Sequence, residues 1–456
     1  MPPLDPNPAA ATLDTIVALS TPVGRSAIGV VRLSGPAALK IAGRLLRRGA
    51  LRSRRARLDV LLGTDGEPID EVVCTSFPRP RSYTGEDVVE ISCHGSPPVL
   101  RFAVERSCEL GARIAEPGEF TRRAWRNGRM DLVQAEAVRD LIDATTLYQA
   151  QVASRQRSGA LSGKLRACKR GVLELIARLE AGIDFAEDDV EVEDGTAISA
   201  AIDPLLAAVE RLVDGFALGK VVRSGLRLAI VGRPNVGKSS LFNRMLERDR
   251  AIVSQIAGTT RDVISDTASF DGIPVELVDT AGIRASGDEI ETAGIERTWQ
   301  SLQDADFALV VVDLSTEECP DDLDLWRNVR SACPALLVGN KRDLPRRCES
   351  KEAMVEVSAL TGEGIDGLRT RVRERALPGL EAMRDSSLVT NIRQEALLRR
   401  SKGALQRAAE AASAGIPHEM LLLDLYEALE PLDAITGATT IEQVLDEIFS
   451  TFCIGK

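Results

Sequence analysis

A glycine-rich turn between an apolar strand and a helix is the strongest constraint on how this chain can fold. The segment Gly232–Ser239 reads GRPNVGKS, fits the pattern G-x-x-x-x-G-K-[ST], and stands between the apolar run Leu228–Val231 and a helical pattern at 240–246. Glycines let backbone N–H groups close around a phosphate, and the N-terminus of the following helix adds positive potential. A plain glycine-rich turn is the alternative, but this context favours a phosphate-binding loop in which Lys238 reaches the β- and γ-phosphates and Ser239 binds Mg²⁺.

Three further motifs follow in the order that a GTPase requires, each after an apolar run. The DTAG segment Asp279–Gly282 can hold the Mg²⁺ shell and offer an N–H to the γ-phosphate. The NKRD segment Asn340–Asp343 supplies a carboxylate, that of Asp343, which can accept from both N1–H and N2–H of guanine and rejects adenine. The SAL segment Ser358–Leu360 is typical of the last guanine-contacting loop. Together the motifs predict a guanine-nucleotide hydrolase.

The residue that follows Gly282 is unusual for such an enzyme. Many Ras-like enzymes carry a glutamine there that orients the attacking water, but this chain has Ile283, whose side chain can neither donate nor accept. Another group must therefore orient the water. Four carboxylates of the following loop are candidates that spacing alone does not distinguish: Asp288, Glu289, Glu291 and Glu296. A solvated acidic loop without a catalytic role is the alternative.

Composition places the chain among ordinary globular proteins. Its 456 residues predict about three domains, and its hydrophobic content of 44% and charged content of 27% are those of a soluble protein. No apolar stretch has transmembrane length, and no signal peptide is visible. Eight scattered cysteines without a C-x-x-C pair, and only two histidines, argue against a zinc site or a disulfide framework. We therefore expect a cytoplasmic protein without a membrane partner.

Two arginine-rich segments stand out against a net charge of −11. Seven arginines fall within residues 44–57: Arg44, Arg47, Arg48, Arg52, Arg54, Arg55 and Arg57. Four more fall within residues 122–129: Arg122, Arg123, Arg126 and Arg129. Either segment could contact RNA phosphates, or it could be a solvated face with no ligand. The sequence leaves this open.

The pattern along the chain predicts a GTPase module between two helical segments. Residues 14–118 alternate short aliphatic runs with Gly/Pro punctuation, which indicates a small α/β domain. Apolar residues at a helical spacing predict a buried stripe on one helix: Leu161, Leu165, Cys168, Val172, Leu175 and Leu179. The predicted fold class is α/β, with a P-loop GTPase domain, a parallel sheet flanked by helices, inserted into an α-helical domain and preceded by a small α+β domain. The expected divisions are an N-terminal domain at 1–126, the first helical segment at 127–219, the GTPase domain at 220–379, and the second helical segment with the C-terminal tail at 380–456.

Several longer segments resemble one family. They are Asp14–Ala18, Thr21–Pro22, Gly29–Gly35, Tyr83–Glu90, Glu116–Phe120, Ala257–Asp262 and the tail Phe452–Lys456. Few other GTPases end in a tail such as FCIGK. Over about residues 14–456 the chain resembles the tRNA modification GTPase MnmE (TrmE) family.

That resemblance implies a second ligand and several partners. In this family the N-terminal domain dimerises and binds a tetrahydrofolate derivative of the 5-formyl or 5,10-methylene type. The folate-binding positions of the family correspond to Arg32, Glu90, Arg129 and Lys456. The homodimer joins an FAD-dependent MnmG (GidA)-like partner in a heterotetramer, and together they add a carboxymethylaminomethyl group to carbon 5 of the wobble uridine of certain tRNAs. The tail cysteine of the family corresponds to Cys453, for which modification chemistry and simple buried packing are the two interpretations.

For the GTPase domain the resemblance implies K⁺-dependent hydrolysis. The potassium positions are Asn235, Ser254, Ile256 and Thr259, the Mg²⁺ ligands are Ser239 and Thr260, and the catalytic residues are Glu291, which orients the water, and Lys238. The positions expected to contact GTP are Asn235, Val236, Gly237, Lys238, Ser239, Ser240, Ser254, Gln255, Ile256, Ala257, Gly258, Thr259, Thr260, Asp279, Thr280, Ala281, Gly282, Asn340, Lys341, Asp343, Ser358, Ala359 and Leu360.

A regulatory GTPase switch in ribosome assembly is the competing interpretation. It shares the nucleotide motifs and the potassium positions. Such a switch usually carries an RNA-binding appendage, and no Gly-x-x-Gly loop in a basic setting is evident here. The folate-like segments and the Cys453 tail therefore favour the tRNA-modifying interpretation.

Overall fold

The described residues form twelve strands and fourteen helices, numbered in chain order. The computed structural model describes residues 14–49, 51–184, 194–247, 267–270, 272–279, 302, 305–317, 319–350, 352–378, 388–439 and 442–455. Strands β1 to β12 are Thr15–Leu19, Ser26–Ser34, Arg57–Leu62, Pro68–Phe77, Val88–Gly95, Ala112–Ile114, Leu226–Val231, Thr267–Phe270, Ile273–Asp279, Phe307–Asp313, Ala335–Asn340 and Val355–Glu356.

The helices fall before, within and after the second group of strands. Helices α1 to α14 are Ala38–Leu45, Pro97–Glu109, Glu119–Arg126, Leu132–Asp143, Leu147–Arg157, Ala160–Asp184, Gly195–Asp214, Phe216–Ser224, Lys238–Glu247, Pro320–Ala332, Ile365–Ala376, Ile392–Ser413, His418–Thr436 and Glu442–Ser450. None of the described helices has the length and apolarity to cross a membrane.

The chain divides into two compact units. The first contains the described residues of Met1–Arg139, Arg157–Arg166 and Glu430–Lys456, and the second those of Asp140–Gln156 and Ala167–Leu429.

The first unit is built on a six-stranded sheet in the order β3-β4-β5-β2-β1-β6. Neighbouring strands are antiparallel, except that β6 runs parallel to β1. Alternation along β2 sends Val31 and Leu33 to one face, where they pack with Ile41 of α1 and Leu100 of α2. Arg32 therefore lies on the opposite face, directly across from Glu90 of β5.

The C-terminal tail belongs to this first unit. Leu445 and Phe449 of α14 pack against Leu132 of α4 together with Phe452. After α14 the chain makes a β-bridge between Ile454 and Pro117. The resemblance places the tail residue Lys456 in one folate site with Arg32 and Glu90, and the last described residues of the tail are bonded to the N-terminal segment.

Helices of the second unit include the predicted stripe of α6. Cys168, Val172, Leu175 and Leu179 are all buried, as are Leu161 and Leu165 at the start of the helix. The stripe is therefore a core-packing face, as its spacing predicted. Helices α7 and α12 pack together, and Lys402 forms an ion pair with Glu210 at 3.0 Å.

The second unit also contains a six-stranded sheet in the order β12-β11-β10-β7-β9-β8. The first five strands in this order are parallel. Strand β7 is apolar from Leu228 to Val231 because both of its faces are covered there: Leu228 and Ile230 pack on the side of α9 and α11, and Ala229 and Val231 on the side of α10.

The predicted fold class is confirmed, since the sheet follows helix α8 in the chain and helices α12 to α14 come after it. One element differs from the prediction. Strand β8 runs antiparallel to β9 at the edge of the sheet, so the sheet is not wholly parallel.

Candidate functional site

The phosphate loop lies at the carboxyl end of β7, between Val231 and the start of α9. Gly237 has φ of +95°, and a Cβ there would lie 2.2 Å from Nδ2 of Asn340, so both conformation and space require glycine. Asn235 also has positive φ, +65°, which asparagine tolerates better than most residues. Val236 is buried and anchors the loop to the core of the sheet.

Lys238 is held over the mouth of this loop. Its Nζ donates to the carbonyls of Gly232 at 2.8 Å and Arg233 at 2.9 Å. The ammonium group is therefore positioned by the backbone of the loop, where a phosphate would meet it. The hydroxyl-bearing residues that follow, Ser239 and Ser240, lie in the first turn of α9, where both are exposed.

An ion pair that the sequence did not reveal fixes the outer side of the loop. Arg233 donates from Nε and from a terminal nitrogen to the two carboxylate oxygens of Asp322 in α10, at 2.7 and 2.6 Å. These bonds raise the pKa of the Arg233 guanidinium. The signal was weak in the sequence, because Asp322 stands in an acidic helix start that also suits the helix dipole.

The guanine-side motifs converge on the phosphate loop through Asn340. This side chain is 2% exposed; its Nδ2 donates to the carbonyl of Val236 at 2.9 Å, and its Oδ1 accepts from the N–H of Ala359 at 2.9 Å. Asp343 is oriented by Ser358, whose hydroxyl donates to Oδ1 at 2.5 Å. The structure thus brings together the two segments that were predicted to recognise guanine. Leu360 is exposed beside Ala359.

Lys341 is fixed by a residue outside the predicted motifs. Its Nζ lies 2.6 Å from Oδ2 of Asp313, the last residue of β10. Burial alone would raise the pKa of Asp313, but the bonds from Lys341 and Ser315 outweigh it and hold that pKa below its ordinary value. An acid at the carboxyl end of a central parallel strand was the available signal for this residue.

The described residues carry only part of the predicted nucleotide site. Asp279 is the last residue of β9. Its backbone lies in register with that of Ile230 in β7, which places it beside the phosphate loop. The remaining predicted positions of this site lie outside the described residues: Ser254, Gln255, Ile256, Ala257, Gly258, Thr259, Thr260, Thr280, Ala281, Gly282 and Glu291.

The described part of the phosphate loop fits a bound nucleotide with its cations. The loop has no Cβ at Gly237, a lysine ammonium at its mouth and an exposed Ser239, which suit a nucleotide phosphate with Mg²⁺. Asn235 is exposed and offers a hard oxygen donor for a cation such as K⁺.

A second polar site lies on the sheet of the first unit. Arg32 donates from Nε to Oε1 of Glu90 at 2.9 Å, and its NH1 donates to the carbonyl of Gly455 in the tail at 3.1 Å. The guanidinium also lies over the rings of Tyr83 and Phe120, at 5.9 and 5.7 Å from their centroids. Within the described residues Glu90 Oε2 has no partner, so an acceptor remains for a ligand amine.

The other residues predicted for the folate site and the tail are not all placed beside Arg32 and Glu90. Arg129 is exposed and packs beside Gly85, and the structure records no contact of it with Arg32 or Glu90 among the described residues. Lys456 lies outside the described residues. Cys453 is exposed, so its interpretation as a small buried residue is wrong. Cys74 and Cys93 are buried, and burial raises the pKa of each of these two thiols to about 12.

The arginines of the second basic segment are mostly structural. Arg123 is 2% exposed and pairs with Asp14 at 2.8 Å and with Glu119 at 2.9 Å. Arg126 pairs with Glu442 at 2.9 Å. Arg122 pairs with Glu442 and Asp446. Carboxylates of the first unit pair with all three arginines, which favours a structural role for them over contact with RNA.

Comparison with known proteins identifies the family of the chain. The family description "MnmE helical domain" matches residues 132–453, and "GTP-binding protein TrmE N-terminus" matches residues 15–129. The tRNA modification GTPase MnmE of Koribacter versatilis is 51% identical over 97% of this chain and 99% of its own length. The proteins of the same name from Aquifex aeolicus and Thermotoga maritima are 43% and 40% identical, each over 97% of this chain and 100% of its own length. The family predicted from the motifs is thereby confirmed, and the chain belongs to the tRNA modification GTPase MnmE family.

Proposed function

We propose that this protein is a K⁺-activated, Mg²⁺-dependent GTP hydrolase. With an FAD-dependent MnmG/GidA-like partner it adds a carboxymethylaminomethyl group to carbon 5 of the wobble uridine of certain tRNAs in the cytoplasm. The observation that carries the proposal is the hydrogen bond from Arg32 to the backbone carbonyl of Gly455. This bond brings the C-terminal tail to the pair of Arg32 and Glu90, and so forms a second ligand site besides the nucleotide site.

Recognition of GTP follows from the bridge that Asn340 makes between the phosphate loop and the guanine-side loop. Asp343 accepts from the two guanine N–H groups, and Ser358 keeps its carboxylate in place. Lys238 and the N–H groups of the loop bind the β- and γ-phosphates. Removal of one of these contacts therefore weakens the whole site rather than one subsite.

Hydrolysis needs a group that orients water, because Ile283 cannot do so. We assign that role to Glu291. Ser239 with Thr260 would hold Mg²⁺, and Asn235 with the 254–259 segment would hold K⁺. A bound cation supplies positive charge beside the phosphates, where negative charge develops during transfer.

The folate derivative is assigned to the face of Arg32 and Glu90. Glu90 Oε2 can accept from an amino group of the pterin ring, while the tail closes over Arg32. Lys456 and Arg32 would pair with the carboxylates of the folate glutamate, and Arg129 is assigned to the same ligand. Cys453 is exposed in the same tail and is assigned to the modification chemistry.

The same face of the sheet supports a homodimer. Leu58 and Val73 lie directly opposite each other on β3 and β4, and they are 55% and 41% exposed. Ile28 of β2 is 60% exposed on the face that also bears Arg32. An open apolar surface of this kind is typical of a protein–protein interface. The homodimer would then join the FAD-dependent partner in a heterotetramer.

Nucleoside analysis of tRNA from cells that lack the chain tests the proposal. Wobble uridines are expected to lose the carboxymethylaminomethyl group and to regain it when the wild-type gene is restored. A strain with fully modified tRNA and a defect in ribosomal subunits would instead support the switch in ribosome assembly.

A further inference from the structure

The arginine-rich segment near the start of β3 is not used by either site described above. We call its six exposed members the arginine loop: Arg44 in the last turn of α1, and Arg47, Arg48, Arg52, Arg54 and Arg55 in the segment that follows. The seventh arginine of the segment, Arg57, lies partly buried and pairs with Asp59.

The backbone of the arginine loop is fixed to the sheet. The N–H of Arg47 donates to the carbonyl of Val60 at 3.0 Å, and the N–H of Arg54 donates to the carbonyl of Ser76 at 2.8 Å. The Ser76 hydroxyl in turn donates to the carbonyl of Arg52 at 3.3 Å. The loop is thus a built surface of this unit, with exposed arginines on a fixed backbone.

No carboxylate in the part of the chain that the structure describes pairs with a guanidinium group of this loop. Within the described residues of the chain, five of the six guanidinium groups make no ion pair or hydrogen bond, and that of Arg54 donates to the carbonyl of Arg81, which is uncharged. The arginines at 122–126 differ, because carboxylates pair with all three. Among the described residues, therefore, acids pair with the second basic segment and leave this loop unpaired.

Unpaired, clustered guanidinium groups repel one another and attract a polyanion. A guanidinium binds phosphate oxygens through two parallel N–H···O bonds, and each phosphate contact releases counterions from a nucleic acid. An acidic protein surface could also bind here, but it lacks the regular row of phosphates that matches a row of arginines.

The position of the arginine loop in the sheet favours tRNA as its ligand. Strand β3 lies three places from β2 in the same sheet, so the start of β3 is about 14 Å from the row that bears Arg32. A tRNA whose uridine approaches the folate-binding face would therefore carry backbone phosphates over the loop. We propose that the arginine loop binds the phosphate backbone of the substrate tRNA; this deepens the proposed function and rests on it.

Binding of unmodified tRNA to the purified full-length protein, measured by fluorescence anisotropy between about 50 and about 200 mM salt, tests the proposal. The variant R47Q/R48Q/R52Q/R55Q should bind at least about tenfold more weakly at low salt. Its slope of log affinity against log salt should fall by about 3, since each lost phosphate contact removes about 0.7–0.9. The matched control removes four exposed arginines of the second unit: Arg371, Arg375, Arg399 and Arg400.

Three further variants separate the loss of phosphate contacts from misfolding and from the loss of charge alone. If the quadruple variant does not fold, the double variants R47Q/R48Q and R52Q/R55Q should each lower the slope by about 1.5. Lysine at all four positions keeps the charge and should keep the slope, with weaker affinity because the bidentate geometry is lost.

Equal slopes and affinities for the quadruple variant and its control would overturn the proposal. So would normal tRNA affinity combined with loss of binding to the FAD-dependent partner, since the loop would then be a protein-binding surface. Nucleoside analysis separates this failure from that of the proposed function. Modification that is absent without the chain but normal with the quadruple variant refutes only the role of the loop.

Discussion

The side-chain amide of Asn340 donates to the carbonyl of Val236 at 2.9 Å and thereby joins the guanine-side loop to the phosphate loop. The amide oxygen is also used, because it accepts from the N–H of Ala359. A buried amide with partners on both sides is costly to disturb, since each orphaned group loses its hydrogen bond without gaining water. Binding of guanine and binding of phosphate are therefore coupled through one side chain.

Replacement of Gly237 by alanine should break this coupling. The new Cβ would lie 2.2 Å from Nδ2 of Asn340, and φ of +95° is strained for alanine by about 1–3 kcal/mol. We expect GTP affinity, measured by calorimetry, to fall at least about tenfold. The matched control is Gly367→Ala in α11, where the Cβ meets no atom within 4 Å. That control should bind GTP normally and unfold at a slightly higher temperature, and a Gly237→Ala protein that binds equally well would refute the coupling.

Asp343→Asn should change the base that is recognised. The substitution replaces one acceptor by a donor, so GTP binding should weaken by about 2–4 kcal/mol while xanthosine triphosphate binds better than it does to the wild type. Ser358→Ala is the control, because it removes the 2.5 Å bond to Asp343 but keeps the carboxylate. It should weaken GTP binding by only about 1 kcal/mol and gain no xanthine affinity. Unchanged base preference in Asp343→Asn would contradict the assignment.

The nucleotide motifs were predictable because each follows a run of apolar residues, which indicates a buried strand. Parallel strands place their carboxyl ends at one edge, so Gly237 and Asn340 had to meet there. The bond between Asn340 and Val236 was not predictable, because side-chain pairing across 104 residues leaves no local pattern. The ion pairs of Arg123 were not predictable either. The arginines next to it in the sequence suggested a basic surface, but Arg123 pairs with Asp14, Glu86 and Glu119.

GTP hydrolysis should be faster in K⁺ than in Na⁺. Asn235 is exposed in the phosphate loop with φ of +65°, and Asn235→Gly removes its oxygen while keeping that backbone conformation accessible. We expect phosphate release by the wild type to be stimulated by K⁺ and release by Asn235→Gly to be nearly the same in both salts. Equal wild-type rates in the two salts would rule out the potassium site.

Glu291 should affect turnover more than binding. A carboxylate that orients water acts near the transition state, so Glu291→Gln should lower kcat at least about a hundredfold and leave the Kd for GTP nearly unchanged. Asp288→Asn and Glu289→Gln are neighbouring controls that should retain most of the activity. Single-turnover hydrolysis and nucleotide titration measure the two quantities, and a fully active Glu291→Gln enzyme would exclude this residue as the water-orienting group.

The tail should serve tRNA modification without serving hydrolysis. Gly455 accepts from Arg32 through its carbonyl and has φ of +98°, and a Cβ there would lie 2.5 Å from the carbonyl oxygen of Leu19. Gly455→Ala should therefore detach the tail at a cost of about 1–3 kcal/mol, and deletion of residues 453–456 should remove it altogether. Both variants should lose wobble-uridine modification, measured by mass spectrometry of tRNA nucleosides, while the purified proteins still release phosphate from GTP. Ile454→Ala should modify tRNA normally, because the Ile454 side chain is 56% exposed and its bridge to Pro117 uses the backbone. Modification that survives the deletion would show that the one-carbon site does not need the tail.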